Sequence, residues 1–213
     1  MQNKKKILKE YKLIIFDVDG VLINSEKNML YSWRQVCKKF KLKVSFHKYK
    51  KNVGLPFQKI LNNLKINDKN KNIEKFYKKQ TIKNLSLIKL YPDIKKLILL
   101  LKKKNFLISI VTSKDKVRTQ KILKKLRIDI KDIYSPKNIR QGKPNKYLIN
   151  KCIKKNKILT KNACYIGDTH IDYLASIKSG VDFIFHEKGF GERKKIYTKC
   201  YSKISDLKKI LNI

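Results

Sequence analysis

Acidic residues are scarce in this chain of 213 residues, where 16 Asp and Glu stand against 54 Lys and Arg and leave a formal net charge of +38. Long apolar runs are also absent: the longest, at residues 97–101, falls far short of the roughly 20 residues that span a bilayer. This excludes an integral membrane helix bundle. Near the start, Lys4, Lys5 and Lys6 precede only two apolar residues, so we expect no signal peptide, no membrane partner and a cytoplasmic location.

Cysteines are few and far apart, at positions 37, 152, 164 and 200, and no Cys-x-x-Cys pair occurs. A zinc site or a disulfide framework requires paired or closer spacing. We therefore expect neither. Cys164 lies in the apolar stretch 163–166 and is expected to be a small core residue.

The lysines are spread along the whole chain and are not gathered in one arm or on one helix face. They occur with many Asn and Ile residues, and the codons of all three are rich in A and T. A biased genome explains this composition without a binding site, because net charge by itself reports on non-specific association. Nucleic acid is therefore not an expected partner, although a basic, non-catalytic module that binds polyanions stays open as an alternative.

The stretch 11–20 carries the clearest signal for a site. Its apolar run at 13–16 predicts a strand buried on both faces, which ends at Asp17, and Gly20 lets the backbone turn. Ligands of open parallel sheets bind just beyond the carboxyl ends of the strands, so Asp17 and Asp19 lie where chemistry is expected. Two converging carboxylates repel each other unless a proton or a cation lies between them, and Mg2+ prefers such oxygen ligands.

Residues 25–87 have apolar residues at helical spacings and no strand-like run, and Ser25 is expected to cap the first of their helices. From residue 91 onward, helices alternate with apolar strand-like runs at 106–111, 132–134, 163–166 and 181–185. This order is typical of a parallel sheet with right-handed crossovers. We therefore predict an α/β core made of residues 1–24 and 88–213, with a small all-α domain at 25–87 inserted after the first strand.

Four polar clusters fall at or just after strand ends: Asp17 with Asp19, Thr112 with Ser113, Lys143, and Asp168 with Asp172. Each has an ordinary explanation by itself, since hydroxyls and acids cap helices and one lysine among many is usually solvated. A parallel sheet brings strand ends to one edge, so chance is a poor account of all four in this order. Together they predict a site of phosphoryl transfer.

In such a site Asp17 is the expected nucleophile, which forms an aspartyl-phosphate intermediate. Asp19 is the expected acid for the leaving oxygen and then the base for the hydrolytic water. Lys143 offers positive charge to the phosphoryl oxygens and to Asp17. The hydroxyls of Thr112 and Ser113, with nearby backbone N–H groups, are expected to hold those oxygens.

The two acids of the fourth cluster have different expected roles. Asp168 completes the Mg2+ shell through its carboxylate. Asp172 lies one helical turn later and is expected to orient the lysine or a metal-bound water from the second shell.

Four segments resemble the ordered motifs of the haloacid dehalogenase-like (HAD) hydrolase superfamily: 17–22 (Asp-Val-Asp-Gly-Val-Leu), 111–113 (Val-Thr-Ser), 142–144 (Gly-Lys-Pro) and 167–172 (Gly-Asp-Thr-His-Ile-Asp). The third segment, with Ser-Glu at 25–26, is similar to the phosphoglycolate phosphatase and β-phosphoglucomutase branch, whose members carry a helical cap after the first motif. The resemblance covers nearly the whole chain. It implies a Rossmann-like core, Mg2+ dependence, an Asp17 nucleophile, and metal contacts from Asp17, the Asp19 carbonyl and Asp168.

Dehalogenases and phosphonate hydrolases of this superfamily lack an acid at the position of Asp19, so a phosphate ester is the favoured substrate class. Mutases of the branch use a cap-linker His that residues 20–40 lack, which favours a hydrolase and leaves a β-phosphoglucomutase-type isomerase as the alternative. Gly54, with Lys51 and Gln58, is expected nearest the leaving group. The expected substrate is a small phosphorylated metabolite, phosphoglycolate-like or a sugar phosphate, and the oligomeric state is left open.

Overall fold

The computed structural model describes residues 11–213 of the chain. In this part eight strands occur: β1 (Leu13–Phe16), β2 (Ile23–Asn24), β3 (Lys89–Leu90), β4 (Leu107–Val111), β5 (Ile133–Tyr134), β6 (Ala163–Gly167), β7 (Asp182–His186) and β8 (Cys200–Tyr201). Six of them form one sheet in the order β5-β4-β1-β6-β7-β8, and every neighbouring pair in this sheet is parallel.

The same residues form nine α-helices: α1 (Glu26–Phe40), α2 (Phe46–Lys50), α3 (Phe57–Asn63), α4 (Asn72–Lys83), α5 (Ile94–Lys103), α6 (Lys116–Leu126), α7 (Tyr147–Asn156), α8 (His170–Lys178) and α9 (Ile204–Leu211). Short 3₁₀ turns lie at Leu85–Leu87, Ile139–Gln141 and Thr160–Asn162. None of the helices described here combines the length and apolar character needed to cross a membrane.

Helix α5 illustrates why the apolar spacing produces this architecture. Ile94, Leu97, Ile98 and Leu101 are buried, whereas Leu99 is 66% exposed. Spacings of three and four residues put the buried side chains on one helical face, because an α-helix has 3.6 residues per turn. The helix can therefore pack along the sheet with its lysines in solvent.

The core lies on both faces of the central strand β1. Ile14 and Phe16 join the cluster that α5, α6 and α9 cover, whereas Leu13 and Ile15 join the cluster under α7 and α8. Alternate side chains of a strand point to opposite faces, so a strand covered by helices on both sides must be apolar throughout. The predicted α/β class with a Rossmann-like parallel sheet is confirmed.

The four helices between β2 and β3 pack around an apolar cluster of their own. Aromatic rings dominate it: Trp33 stacks on Tyr49 with ring centroids 4.6 Å apart, and Phe57 stacks on Tyr77 at 4.4 Å. Strands β2 and β3 pair antiparallel, so the chain enters and leaves this helical block side by side. We call α1–α4 with their connecting loops the cap.

Two details differ from the expectations. Ser25 does precede α1, but its side chain makes no capping hydrogen bond and donates instead to Asp19. Strand β8 was not predicted, because two residues carry no periodicity; it forms only by pairing with the end of β7. The weak run at 132–134 is a strand of two residues, β5.

Candidate active site

The polar clusters meet at the carboxyl edge of the sheet because the central strands share one register. Phe16 of β1 pairs with Ile110 of β4 and Ile166 of β6, so these three strands end together. Asp17 follows β1 directly, and Asp168 follows β6 directly. This edge is where the sheet topology predicts a ligand site.

Three carboxylates crowd together at this edge. Asp17, Asp168 and Asp172 are buried, and one oxygen from each lies within 4.8 Å of the others. Burial, reinforced by Asp172 and Asp19 and opposed by Lys143, raises the pKa of Asp17 to about 7. Burial also raises the pKa of Asp168, with the charges of Asp172 and Asp17 acting in the same direction. The cluster therefore favours a bound proton or a cation.

The hydrogen bonds show which of these acids suit a metal ion. Asp17 Oδ1 and Asp168 Oδ1 are buried and have no hydrogen-bond partner among residues 11–213. Asp172 differs, because Oδ1 accepts from Lys143 and Tyr165, and Oδ2 accepts from Thr169. Buried polar atoms are normally satisfied, so the two orphaned oxygens fit a hard divalent cation such as Mg2+. Asp172 is also close enough to bind a metal ion, but both of its carboxylate oxygens already accept hydrogen bonds. Asp17 and Asp168 are therefore the better candidates for metal ligands.

Lys143 lies within the carboxylate cluster and is almost completely buried. Its ammonium is 3.0 Å from Asp17 Oδ2, 2.5 Å from Asp172 Oδ1 and 3.0 Å from the hydroxyl of Tyr165. Burial alone would lower the pKa of Lys143, but Asp17 and Asp172 raise it above its usual value. The lysine is therefore a permanent positive charge beside the expected nucleophile.

Asp19 has separate partners. Its Oδ1 accepts from Ser25 Oγ at 2.5 Å, and its Oδ2 lies 3.0 Å from the ammonium of Lys114. Burial pushes the pKa of Asp19 upward, yet Lys114, Ser25 and Arg118 together bring it below its usual value. Sequence reasoning missed Lys114 and Arg118; their position just after Thr-Ser was a signal, hidden by the abundance of lysine.

The hydroxyl residues of the second cluster both line the cavity above Asp17. Thr112 Oγ1 accepts from the backbone N–H of Lys114, and the hydroxyl of Ser113 donates to the carbonyl of Gly54 at 2.6 Å. Gly54 belongs to the cap, so Ser113 holds a cap loop against the core. The residue that caps α6 is Asp115, not either hydroxyl.

Gly54 has φ +101°, a value that favours glycine, and lies against Thr169 and Ile171 where a side chain would crowd. It lines the cavity, in keeping with its expected place near the leaving group. Lys51 and Gln58 do not line that cavity. Gln58 instead donates to Asp68 and Glu74 within the cap. The cap side chains that line the cavity are mostly apolar: Met29, Val53, Leu55, Phe57 and Ile60.

The space above Asp17 is small, at about 50 Å³, and cap residues such as Tyr49 and Phe57 line one side of it. Beside it runs a larger cleft of about 660 Å³ between the cap and the core loops. Phe57, Ser113 and Arg118 line both spaces and so separate them. Asp17, Asp19 and Lys143 line the smaller cavity and not the larger cleft, which makes the smaller cavity the candidate for the reactive space.

A loop after β7 closes around Asp168 from the far side. The backbone N–H of Phe190 donates to Asp168 Oδ2 at 2.6 Å, and Gly191 donates to its carbonyl at 3.1 Å. A side chain at Gly189 would overlap the Asp168 carboxyl group. This loop holds Asp168 Oδ2 and leaves Oδ1 without a hydrogen bond from the described residues, and no sequence signal beyond its glycines marked the loop.

A parallel α/β sheet that presents buried acids, a threonine and a lysine at one edge is the arrangement of a hydrolase built for anionic substrates. A family model described as haloacid dehalogenase-like hydrolase matches residues 14–186. The chain belongs to this family, and the expected enzyme class of HAD-like hydrolases is confirmed.

Individual relatives agree with that assignment. The chain is 26% identical over 188 residues to a phosphoglycolate phosphatase from Pasteurella multocida, with 80% of this chain and 83% of the relative covered. A predicted phosphatase from Clostridium acetobutylicum has the same fold, with a TM-score of 0.84, 23% identity and coverage of 96% and 100%. A predicted phosphoglycolate phosphatase from Haemophilus somnus is also similar, with a TM-score of 0.79, 22% identity and coverage of 94% and 97%.

Proposed function

We propose that this protein is a Mg2+-dependent phosphatase that hydrolyses a small phosphorylated metabolite through an aspartyl-phosphate intermediate. The observation that carries the proposal is the set of contacts around Asp17. One oxygen each of Asp17 and Asp168 is buried without a hydrogen-bond partner among the described residues, and the ammonium of Lys143 lies 3.0 Å from the other oxygen of Asp17. One side of Asp17 is thus free for a metal ion, and the other faces a fixed positive charge.

Asp17, Asp168 and the backbone carbonyl of Asp19 are the proposed Mg2+ ligands. When bound, the ion would neutralise the crowded carboxylates and offset charge on the phosphoryl oxygens. Thr112 and Lys143 hold those oxygens from the protein side, and Asp172 keeps the lysine in place through its 2.5 Å contact.

In the first step a carboxylate oxygen of Asp17 attacks phosphorus and the bond to the leaving oxygen breaks. Asp19 gives its proton to that oxygen. In the second step Asp19 takes a proton from water as the water attacks phosphorus, which releases inorganic phosphate and restores Asp17. The side-chain carboxylate of Asp19 suits this exchange because its oxygens contact Ser25 and Lys114 and not the carboxylates of Asp17 and Asp168.

The small cavity favours a small substrate. About 50 Å³ is well below the roughly 300–1,000 Å³ of ordinary ligand pockets, so a phosphoryl group with a few further atoms is the size that this cavity favours. Phosphoglycolate has that size, and it is the substrate named for the relative from Pasteurella multocida. We assign residues 25–87 as the cap that closes over the substrate, and residues 1–24 and 88–213 as the catalytic core.

Release of inorganic phosphate from 2-phosphoglycolate and from a panel of sugar phosphates, with and without Mg2+, tests the proposal. Asp17→Asn should reduce turnover by more than about 10³-fold, the scale expected when a catalytic nucleophile is lost. Asp129→Asn is the matched control, since Asp129 lies at the surface, where it pairs with Lys102.

Retention of most activity by Asp17→Asn would contradict the proposed nucleophile. A basic polyanion-binding module would release no phosphate, and its binding would fall steeply with salt and ignore this substitution. An isomerase would instead interconvert a sugar phosphate in the presence of its bisphosphate, with little net phosphate released.

A further inference from the structure

Two buried cations lie on the side of the cavity where Asp19 stands. Lys114 and Arg118 have side chains that are only 7% exposed, and both line the cavity above Asp17. Neither belongs to the phosphoryl-binding set of Thr112 and Lys143. Because Asp19 is the proposed proton donor to the leaving oxygen, this is the leaving-group side of the site.

Arg118 bridges the core and the cap. Within the core, its Nε lies 2.5 Å from Asp115 Oδ2. Toward the cap, its Nη1 donates to Thr81 Oγ1 at 3.2 Å, and its guanidinium lies 5.6 Å from the ring centroid of Tyr77. Tyr77 accepts a hydrogen bond from Tyr49, so this corner is the polar part of an otherwise apolar cap wall. Arg118 also lines the larger cleft beside the cavity.

The contacts of Arg118 leave donors for a ligand. Its Nε contacts Asp115 and its Nη1 contacts Thr81, whereas a guanidinium carries five N–H groups. Lys114 lies 3.0 Å from Asp19 Oδ2 and lines the same cavity. Two cations on one side of a small cavity therefore offer charge and hydrogen bonds to a negative group on the substrate.

We propose that Arg118, with Lys114 beside it, is the specificity-determining site for a negatively charged group on the leaving group of the substrate. This proposal rests on the proposed phosphatase function. The planar guanidinium suits a carboxylate or a second phosphoryl group, both of which offer two oxygens to its fork of donors. The apolar wall formed by Met29, Val53 and Ile60 offers nothing to a polyhydroxylated, uncharged leaving group.

A pair of substrates that differ only in the charged group tests this site. In 2-phosphoglycolate a carboxylate occupies the place of the methyl group of ethyl phosphate, and ethane-1,2-diyl bisphosphate supplies a second phosphoryl group there. We expect the wild-type protein to prefer one of the two anionic substrates over ethyl phosphate, and that substrate identifies the anion. Arg118→Met should lower kcat/KM for it by about 10- to 100-fold, mainly through KM, because charge-assisted hydrogen bonds are the strong ones.

The same variant should lose less activity toward ethyl phosphate, so the ratio of kcat/KM for the anion to kcat/KM for ethyl phosphate should fall by about 10-fold or more. Arg118→Lys should recover part of that ratio. Asp115→Asn is the matched control: it removes the ion pair that a purely structural arginine needs but leaves the guanidinium, so selectivity for the anionic substrate should persist. Equal losses on all substrates, or a wild-type protein that does not distinguish ethyl phosphate from the anions, would overturn the proposal.

Binding without turnover separates this proposal from the phosphatase function. The preferred anionic substrate and ethyl phosphate are each titrated into the Asp17→Asn protein by calorimetry. The anionic ligand should bind more tightly, and this difference should vanish in Asp17→Asn/Arg118→Met. Melting temperatures verify that each variant is folded. If ethyl phosphate is hydrolysed well and Arg118→Met does not change the ratio of kcat/KM values between substrates, the phosphatase function is supported and the proposed anion site is refuted.

Discussion

The ammonium of Lys143 donates a hydrogen bond to the hydroxyl of Tyr165 across 3.0 Å, below the floor of the cavity. Asp17 and Asp172 are the other two oxygen neighbours of this ammonium, so three groups of the protein fix its position. The Tyr165 hydroxyl also lies 3.0 Å from Asp172 Oδ1 and from the carbonyl of Val111, which precedes Thr112. One hydroxyl on β6 thereby links three of the four polar clusters.

Tyr165→Phe should therefore impair catalysis without disrupting the fold. We expect kcat for 2-phosphoglycolate to fall by roughly 10-fold with a smaller change in KM, since a buried ammonium that loses one acceptor is less firmly held against Asp17. Steady-state phosphate release measures both constants. The direct cause is lost orientation of Lys143, not lost packing.

Tyr201→Phe is the control for that experiment. Tyr201 is as buried as Tyr165, but its hydroxyl has no hydrogen-bond partner, so its removal should leave kcat unchanged. Equal kcat values for the two Phe variants would show that the Tyr165 hydroxyl has no role in positioning the lysine.

Asp19→Asn should slow both steps of the reaction. General acid–base catalysis contributes about 10²- to 10⁴-fold, and we expect kcat for alkyl phosphates to fall within that range. With p-nitrophenyl phosphate, whose leaving group needs no proton, the variant should release a burst of about one nitrophenolate per enzyme before slow turnover. Stopped-flow absorbance detects the burst; wild-type turnover of alkyl phosphates by the variant would refute the acid–base role.

Gly189→Ala should weaken Mg2+ binding. The new methyl group would overlap Asp168, so this carboxylate or the loop that holds it must move. Changes in the partners of metal ligands lower metal affinity by about 10- to 100-fold, and calorimetric titration of Mg2+ measures the effect directly. Gly180→Ala is the control, because nothing lies near that position and only its backbone, with φ +68°, is strained.

If both glycine variants bind Mg2+ like the wild-type protein, Asp168 does not depend on the loop after β7. If Gly180→Ala also loses affinity, the effect of Gly189→Ala reflects general destabilisation. A lower melting temperature with unchanged affinity is the result expected for Gly180→Ala alone.

The stability of the metal-free protein should decrease as pH rises from about 4 to about 7, through the contribution of Asp17. Its pKa is about 7 in the folded state against an ordinary value of 3.8, so in this window the folded protein binds protons that the unfolded chain has lost. Burial lowers the pKa of His186, which acts in the opposite sense near the ordinary histidine value of 6.5. The difference between wild type and Asp17→Asn isolates the Asp17 contribution.

Mg2+ replaces those protons, so added Mg2+ should raise the melting temperature more above pH 7 than at about pH 5. Thermal unfolding with chelator and with excess Mg2+ measures this at both pH values. An Mg2+ effect that is equal at the two pH values, or that persists in Asp17→Asn at full size, would contradict metal binding at Asp17.

Much of this protein follows from short-range patterns. An α/β sheet was predicted from the apolar run at 13–16, the helical spacing of apolar residues in α5, and the alternation of helices and strands after residue 91. A strand buried on both faces is apolar throughout, whereas a helix buried on one face has apolar residues three and four apart. Both patterns can therefore be recognised in the sequence. The four polar clusters were found for a related reason: residues that end parallel strands share one edge whatever the intervening sequence.

Other features depend on contacts between distant segments. Gln58 lies in the expected cap region, yet it turns toward Asp68 and Glu74 rather than the cavity, because the packing of α3 against α4 decides its direction. Strand β8 exists only through its pairing with β7. Neither leaves a periodic signal in the sequence.

By itself, the amino-acid sequence determined the class of fold, the order of the clusters and the identity of the acids at the strand ends, because local periodicity and chain order suffice for these. Only the tertiary structure decided which of 54 cations face the cavity and which carboxylate oxygens stay without partners. The physical reason is that burial and hydrogen bonding select partners by distance in space, and the sequence around Lys114 and Arg118 does not show that the two side chains are buried at the cavity.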